Sequence, residues 1–219
     1  MNIVFCLPGR EFSGNFLKSW TQLLSVCLNK GINPILSQHY NPLLYYVRNI
    51  CLGGESLNGT HQKPFQGEFD YDYIMWIDSD ISFTPDHFFK LLLANKDIVS
   101  GLYKMQNNRV YVAAEKWDDE YLKKHGTYEF MTPEIVSRKK ELFKAAFVGF
   151  GWILFKKGVF ESLEYPWFKP VWKEWNYNGT VIKDIMMEDI SLCYELNQKG
   201  YDIWVDPEVI VGHEKMMIL

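Results

Sequence analysis

Cysteine is scarce in this chain and never occurs at the spacings that mark metal or redox sites. The sequence of 219 residues contains four cysteines, all widely separated: Cys6, Cys27, Cys51 and Cys193. Because no C-x-x-C pair occurs, neither a zinc site nor a disulfide framework is indicated. We expect reduced thiols that are mostly buried as small apolar side chains.

The chain also lacks a cluster of positive charge and a long apolar run. Its 23 Lys and Arg residues are scattered among 27 Asp and Glu residues, which disfavours nucleic acid as a partner. No segment reaches the roughly 18 consecutive apolar residues of a membrane helix, and Pro8 interrupts the N-terminal apolar run too early for a secretory signal. These absences predict a cytoplasmic chain without a membrane partner, in which Asn58-Gly59-Thr60 and Asn178-Gly179-Thr180 are plain turns.

What the chain does contain is the alternation of an α/β domain. Ile3 to Leu7 is a continuous apolar run, which fits a strand buried on both faces, and a helical pattern with a Ser13 cap follows it. A short apolar stretch from Ile32 to Leu36 completes a βαβ unit, whose usual right-handed crossover makes the two strands parallel. The length and the 47% hydrophobic composition predict a single domain over residues 1–219.

The remainder of the chain extends this pattern and becomes less regular after about residue 104. Further strands are predicted from Tyr73 to Ile77, Asp97 to Tyr103 and Tyr201 to Val205, and helices from Thr84 to Leu93 and Glu188 to Gln198. The fold class is therefore α/β, with a mixed, mostly parallel central sheet flanked by helices.

The most informative motif follows the strongest central strand. Tyr73 to Ile77 is entirely apolar and runs directly into Asp78-Ser79-Asp80. At the carboxyl end of a buried strand, two carboxylates two residues apart can face the crevice in which open sheets bind ligands. Mg²⁺ or Mn²⁺ accepts carboxylate oxygens and keeps positions for phosphate oxygens. The motif therefore predicts a divalent-cation site that keeps positions open for phosphate oxygens.

An Asp-x-Asp triplet is weak support by itself, because this chain contains two. Asp70-Tyr71-Asp72 precedes the same strand and would lie at its amino end, away from the crevice. We therefore prefer Asp78 and Asp80 as the metal ligands, with a structural loop cap as the alternative.

The order of these features resembles that of GT-A fold glycosyltransferases over nearly the whole chain. The features are a βαβ start, Arg48, the strand before Asp78-Ser79-Asp80, Gly101, Gly149-Phe150-Gly151, Met187-Glu188-Asp189 and a late His213. More narrowly, the chain resembles the small glycosyltransferase domains of large algal DNA viruses, including the chlorella virus enzyme that glycosylates the major capsid protein. The resemblance implies a Rossmann-like GT-A fold, with a nucleotide-sugar-binding half over 1–104 and an acceptor-binding half over 105–219. It leaves open a longer protein of which this is the first domain.

The resemblance also implies substrates and a cofactor. A UDP-sugar is the expected donor, with Mn²⁺ or Mg²⁺ as cofactor. The expected acceptor is a glycan or glycoprotein, for example a viral capsid protein in the host cytoplasm. The transferred group would be a hexosyl or deoxyhexosyl residue, and the sequence does not distinguish inversion from retention at its anomeric carbon.

For the metal and the acceptor, the resemblance assigns roles to single residues. Asp78-Ser79-Asp80 would hold the metal against the diphosphate, and His213 would complete the metal shell. Without the family, a satisfied, partly buried histidine is the commoner outcome for His213. Glu188 and Asp189 open a helix, where capping ordinarily explains acids. The family implies instead a general base beside the acceptor hydroxyl, with Asp189 preferred, or in retaining members an acid that orients the acceptor.

For the donor, the resemblance points to residues on three other segments. Pro8-Gly9-Arg10 ends the first strand, where GT-A proteins hold the base and ribose, largely through backbone groups. Arg48 is an isolated cation in an apolar helical stretch that needs an anionic or carbonyl partner, and it is expected at the nucleotide or phosphates. Gly151 would let backbone approach a sugar or would relieve packing between strands, and Trp152 would wall the donor pocket.

Aromatic residues crowd the segment from Tyr165 to Tyr177, where Trp172 and Trp175 are included. They predict either an acceptor platform, because sugar rings stack on such side chains, or ordinary core packing.

Other functions remain open at this point. Ile77-Asp78-Ser79-Asp80-Ile81-Ser82 comes close to the motif of haloacid-dehalogenase type phosphohydrolases, although that motif normally sits on the first strand. A nucleotidyltransferase would also use Mg²⁺ and a nucleotide, but no Gly-rich basic phosphate loop occurs near residues 8–15. The third alternative is a non-catalytic sugar-binding module on a GT-A fold.

Overall fold

The computed structural model describes residues 1–215, which fold around one seven-stranded sheet. The strands, in chain order, are β1 (Asn2–Pro8), β2 (Asn33–His39), β3 (Tyr73–Ile77), β4 (Ile81–Ser82), β5 (Ile98–Leu102), β6 (Ala113–Ala114), β7 (Phe143–Ala145), β8 (Phe147–Val148), β9 (Trp152–Lys156), β10 (Val171–Tyr177), β11 (Thr180–Met186), β12 (Ile203–Ile210) and β13 (Gly212–His213). The helices are α1 (Gly14–Asn29), α2 (Leu44–Cys51), α3 (Pro85–Ala94), α4 (Asp119–His125), α5 (Pro133–Ser137) and α6 (Glu188–Gln198).

The order of strands across the sheet is β2-β1-β3-β9-β5-β12-β7. Strand β1 pairs in parallel with β2 and β3, and β5 pairs in parallel with β12. Strand β9 lies between β3 and β5 and runs antiparallel to both, and edge strand β7 runs antiparallel to β12. Five strands thus share one direction, which confirms the predicted mixed, mostly parallel sheet.

The sheet is covered on both faces, which explains why its strands are apolar without alternation. In β1, Val4 and Cys6 belong to one hydrophobic cluster, while Phe5 and Leu7 belong to the other. Helices α1 and α3 pack into the cluster that contains Phe5. Helices α2 and α6 pack into the opposite cluster, so both helices that carry predicted site residues lie on the same face.

Two smaller units complete the end of the sheet at which β3 stops. Strand β13 pairs antiparallel with β4, which follows the Asp78-Ser79-Asp80 turn directly. Strands β10 and β11 form an antiparallel hairpin, closed by Asn178 and Gly179 with positive φ angles of 49° and 79°. The sequence predicts a turn at Asn178-Gly179-Thr180, but the two strands that this turn connects were not predicted.

The four thiols are free and buried, as expected from their spacing. Within residues 1–215 no helix has the length and apolar character needed to cross a membrane.

Candidate functional site

The Asp78-Ser79-Asp80 turn lies at the carboxyl end of β3, beside the end of β1. The Asp78 amide donates to the Gly151 carbonyl at 3.1 Å. Gly9 packs so closely on Ser79 that a Cβ atom at Gly9 would lie 2.6 Å from the Ser79 Cβ. The residues predicted at the end of the first strand and the acidic motif therefore form one surface, and the close approach requires glycine at position 9.

Asp78 is held by the side chain of Arg48. The Nη2 atom of Arg48 lies 3.0 Å from Oδ1 and 3.2 Å from Oδ2 of Asp78. On its other side, Arg48 Nε lies 3.4 Å from Oε1 of Glu188, at the start of α6. The expectation that Arg48 needs an anionic partner is confirmed, and the partners are two carboxylates of the chain itself.

Burial makes this ion-pair cluster unusual. Arg48 is 1% exposed, and its guanidinium carbon lies 5.2 Å from the centre of the Trp76 ring and 5.9 Å from that of Phe150. Burial opposes the charge of Arg48, but Asp78 and Glu188 outweigh it and raise the pKa of Arg48 above its usual value. Arg48 Nη1 and Glu188 Oε2 make no hydrogen bond within residues 1–215, so the cluster retains unused polar capacity.

Asp80 faces a different set of partners, which lie in β13 and just after it. The Asp80 Oδ2 atom lies 3.2 Å from Nε2 of His213 and 2.5 Å from Nζ of Lys215. Burial alone would raise the pKa of Asp80, but His213 and Lys215 lower it to about 2. Asp80 is therefore an ionised carboxylate at neutral pH.

The pairing of β13 with β4 brings His213 to Asp80, since His213 stands opposite Ile81 in the ladder. His213 Nδ1 lies 2.6 Å from the carbonyl oxygen of Lys104. A carbonyl only accepts, so we assign the proton of the neutral ring to Nδ1. Nε2 is then the nitrogen that faces Asp80. It donates a hydrogen bond to that carboxylate when it carries a proton, and it offers its lone pair to a cation when it does not.

The three predicted metal ligands are only partly brought together. No three His, Cys, Asp or Glu side chains in the described part of the chain converge closely enough to hold a metal ion. Asp80 and His213 place an oxygen and a nitrogen side by side, which are donor types that Mn²⁺ accepts. Asp78 does not join them, because its carboxylate is engaged by Arg48. The Asp80–His213 pair fits a divalent cation as a partial ligand set, and Asp78 does not fit as a direct ligand in this arrangement.

The two acids at the start of α6 occupy distinct environments. Glu188 is 2% exposed and is paired with Arg48. Asp189 accepts a 2.7 Å hydrogen bond from the Ile190 amide through Oδ1. Burial first, and the nearby charge of Glu188 second, raise the pKa of Asp189 to about 7. Asp189 is thus the acid whose protonation changes near neutral pH.

Tyr103 is a central residue of the site that the sequence reading missed. Its hydroxyl oxygen accepts the Gly151 amide hydrogen at 3.1 Å, and its ring lies 5.0 Å from the His213 ring, edge to face. Burial, followed by the charges of Asp78 and Asp189, raises the pKa of Tyr103 well above its usual value, which keeps the phenol neutral. Only its position at the end of a predicted strand could have identified it.

The remaining predicted donor residues differ in exposure. Arg10 is exposed, and its guanidinium carbon lies 5.9 Å from the centre of the Tyr40 ring. Gly151 packs on Tyr103, and a Cβ atom there would lie 2.9 Å from the Tyr103 Cζ, which favours the packing explanation for this glycine. Trp152 has 0% exposure and packs on Phe83 at a ring-centre distance of 4.6 Å. It therefore supports the site from beneath and has no surface to offer a ligand in this conformation.

The other acidic triplet, Asp70-Tyr71-Asp72, has structural contacts at the opposite end of β3. Asp70 is paired with Lys157, and Asp72 Oδ2 accepts the Asn2 amide hydrogen at 2.7 Å. These contacts tie the start of β3 to β1 and to the end of β9, and they lie away from the crevice.

The aromatic residues between Tyr165 and Tyr177 separate into two groups. Trp167 and Phe168 are at most 1% exposed and belong to the core. Trp172 is 72% exposed, and Trp175 lines a cleft beside the hairpin. Core packing explains the first group only.

No family model and no curated protein sequence matches the chain. Solved structures resemble it in fold. A197 from STIV matches 100% of this chain and 97% of its own length, with a TM-score of 0.54 at 13% identity. GalNAc-T7, solved with UDP, GalNAc and Mn²⁺, matches 99% of this chain with a TM-score of 0.57 at 12% identity. The chain spans only 43% of the GalNAc-T7 chain.

A glycosyltransferase involved in the glycosylation of the major capsid of PBCV-1 matches 73% of this chain and 62% of its own length, at 14% identity. Its TM-score of 0.33 is too low to support an argument. The two better superpositions show the fold alone: the chain has a GT-A type fold, as the order of its motifs predicted.

Proposed function

We propose that the chain is a metal-dependent glycosyltransferase that moves a sugar from a UDP-sugar donor to a glycan or protein-linked acceptor. The observation that carries the proposal is the meeting of four predicted site elements at one end of the sheet. Asp80 pairs with His213, and Arg48 bridges Asp78 to Glu188, next to Asp189. Ligands of open α/β sheets bind at this end of the strands.

On this proposal, Asp80 and His213 hold the cation through one carboxylate oxygen and Nε2. A bound Mn²⁺ or Mg²⁺ would neutralise the negative charge that the diphosphate gains as it leaves. Lys215 now occupies the same Asp80 oxygen and would have to give way to the cation or turn to a phosphate. The two backbone segments that meet at the Gly9–Ser79 contact would lie beside the diphosphate, and the exposed Arg10 would reach the nucleotide.

Asp189 is proposed as the residue that faces the acceptor. A general base works best when its pKa is near the working pH, and the pKa of about 7 at Asp189 meets that condition. Ionised Asp189 would accept the proton of the acceptor hydroxyl in an inverting reaction. In a retaining reaction the same carboxylate would orient the acceptor.

The finer parts of the proposal are supported by the sequence resemblance alone. They are uridine as the base of the donor, a hexosyl or deoxyhexosyl group as the transferred sugar, a viral capsid protein as the acceptor, and the cytoplasm as the site of action. The phosphohydrolase alternative loses its support, because the acidic motif follows the third strand of a GT-A fold and Arg48 holds the carboxylate that would act as nucleophile.

The test is donor-dependent thermal stabilisation. We expect UDP or a UDP-sugar to raise the melting temperature only when Mn²⁺ is present, because the proposed site holds the diphosphate through the cation. A ligand at 100 times its Kd raises the free energy of unfolding by about 2.7 kcal/mol. Asp80→Ala should abolish this shift. The matched control is Asp70→Ala in the other acidic triplet, which should leave the shift unchanged.

Retention of Mn²⁺-dependent UDP binding by Asp80→Ala would refute the proposed metal site. Stabilisation by free saccharides, with none by UDP and Mn²⁺, would instead support a sugar-binding module. Release of labelled sugar onto an acceptor glycan by the wild-type protein would then separate transfer from binding.

A further inference from the structure

A cleft of about 160 Å³ lies beside the hairpin and is separate from the ion-pair cluster. It is enclosed by β10 and β11, by residues 126–130 after α4, and by the start of α6. The side chains that matter for its chemistry are Tyr128, Lys173, Trp175, Asp184, Met187 and Ile190. We call it the hairpin cleft.

The hairpin register places the polar and aromatic groups of this cleft on one face. Lys173 stands directly opposite Asp184, and Trp175 follows Lys173 by two residues. Residues two apart on a strand share a face, so these three side chains point to the same side of the hairpin. Trp172 belongs to the other face and is 72% exposed.

Two donors at the cleft have no acceptor within the described residues. The indole Nε1 of Trp175 and the hydroxyl of Tyr128 are both buried and donate to no acceptor there; Lys173, the charged neighbour of Tyr128, can only donate. Tyr128 is itself 8% exposed. A buried polar group that lacks a partner destabilises the fold, so these atoms require water or a ligand that offers hydroxyl oxygens.

The combination of aromatic faces, unpartnered donors and an exposed carboxylate matches one ligand chemistry. A sugar ring presents C–H groups to aromatic faces and hydroxyl groups to N–H donors and carboxylates. A nucleotide would bring phosphates, and the charge of Lys173 is already taken by Asp119 at 2.5 Å. We propose that the hairpin cleft binds a sugar ring of the acceptor glycan, stacked on Trp175.

The position of the cleft relative to Asp189 indicates which sugar ring of the acceptor it would bind. Met187 and Ile190 line the cleft, whereas Glu188 and Asp189 project from other sides of the first turn of α6 at about 100° per residue. A helix with its side chains is about 10–12 Å across. The ring in the cleft would therefore lie on a different side of this turn from the hydroxyl that faces Asp189, so the acceptor class we infer is an oligosaccharide rather than a monosaccharide. This assignment of the ring to the acceptor rests on the proposed function.

The test uses the indole N–H of Trp175 as a reporter in two-dimensional ¹H–¹⁵N spectra. Trp175→Phe identifies the resonance by its loss. The probes are the methyl glycosides of glucose, galactose, mannose and N-acetylglucosamine, together with lactose, cellobiose and maltose. We expect the Trp175 indole resonance to shift with at least one of them, at millimolar Kd.

Variants separate the cleft from the rest of the molecule. The variants are compared by isothermal titration calorimetry, which does not depend on the Trp175 indole. Trp175→Ala should weaken saccharide binding about tenfold or more, equal to about 1.4 kcal/mol. Asp184→Asn should weaken it without removing the ring. Trp172→Ala, on the opposite face of the same strand, should leave the affinity unchanged.

Two outcomes overturn the cleft assignment: no probe shifts the Trp175 indole, or binding survives Trp175→Ala and Asp184→Asn. Stabilisation by UDP and Mn²⁺ is measured on the same samples and reports on the donor site alone. Failure of that readout would refute the proposed function, while a Trp175-dependent saccharide shift would still stand. Loss of the saccharide shift with intact UDP binding would refute the cleft and spare the function.

Discussion

Neighbouring carboxylates at the start of α6 differ in what neutralises them. Glu188 faces the guanidinium of Arg48 at 3.4 Å, whereas Asp189 accepts a single backbone hydrogen bond, from Ile190. The pKa of about 7 at Asp189 lies well above the usual aspartate value of about 3.9 in an unfolded chain. Folding therefore favours the protonated form of Asp189, and this preference has a measurable consequence.

The stability of the fold should fall as the pH rises through the interval between those two values. Below about pH 4 the carboxyl is protonated in both states and its contribution is fully present. Between about pH 4 and 7 the unfolded chain loses the proton first, so the free energy of unfolding decreases. The total decrease in the free energy of unfolding is at most about 4 kcal/mol. It is smaller to the extent that solvent reaches the Asp189 side chain.

Urea denaturation at pH 4.5 to 8 measures this dependence (the interval is set by the two pKa values). Asp189→Asn should flatten the curve, because the amide does not titrate. Asp202→Asn, which alters an exposed pair with Lys144, should leave it unchanged. An equally steep curve for Asp189→Asn would contradict the raised pKa of Asp189.

Single site residues could be predicted from the sequence only where a motif marked them. The acidic triplet was found because it ends an apolar strand, and Arg48 was marked as a cation in need of an anion. The partner of Arg48 could not be predicted, because Glu188 lies 140 residues away in the chain. Tyr103 carries no motif, and its importance comes from contacts with Gly151 and His213 that only the fold creates.

At the scale of elements, the segment before β9 is shaped by its packing on Tyr103. A Cβ atom at Gly149 would lie 2.1 Å from the Tyr103 hydroxyl oxygen and 2.7 Å from Val112 Cγ1. Neither contact is possible for real atoms, so an alanine at this position must displace either the strand connection or the tyrosine ring. Gly149 and Gly151, which both pack on Tyr103, therefore allow the connection between β8 and β9 to lie close to the end of β5.

Gly149→Ala should destabilise the fold by about 1–3 kcal/mol, as overpacked core substitutions do. Adding Tyr103→Phe removes the closest atom and should recover part of that loss, so the two changes should be non-additive in a double-mutant cycle. Gly14→Ala is the matched control, because a Cβ atom there meets nothing within 4 Å. Strict additivity of Gly149→Ala and Tyr103→Phe would show that the contact does not set the packing.

The elements themselves were predicted unevenly, for physical reasons. Strand β3 and helix α6 were predicted at their observed bounds, because strong apolar runs and clear ends define them. The direction of β9 was not predictable, since a strand buried on both faces reads the same in either orientation. The hairpin was missed although Asn178-Gly179 between β-prone residues is a known hairpin signal, because its aromatic residues were read as a sugar platform.

For the whole molecule, Arg48 connects parts of the chain that are distant in sequence. It lies on α2, and it bridges the end of β3 to the start of α6 through Asp78 and Glu188. The central sheet likewise combines β1, β2, β3 and β5 with β9 and β12 from later in the chain. The buried guanidinium thus links the segment proposed to bind the donor to the helix proposed to face the acceptor through two ion pairs.

Loss of the Arg48 side chain should lower the free energy of unfolding far more than loss of a surface ion pair. Arg48→Met leaves two carboxylates near the core without their cation, and loss of one partner of a buried pair costs about 3–5 kcal/mol. Lys90→Met, which breaks the exposed pair with Glu208, should cost about 1 kcal/mol or less. Chemical denaturation measures both.

Arg48→Met combined with Glu188→Gln should be more stable than Arg48→Met alone, because the double variant no longer buries the unpaired charge of Glu188. If the double variant is the less stable of the two, Glu188 is stabilised by something other than Arg48, and the bridge between the two segments is not the guanidinium.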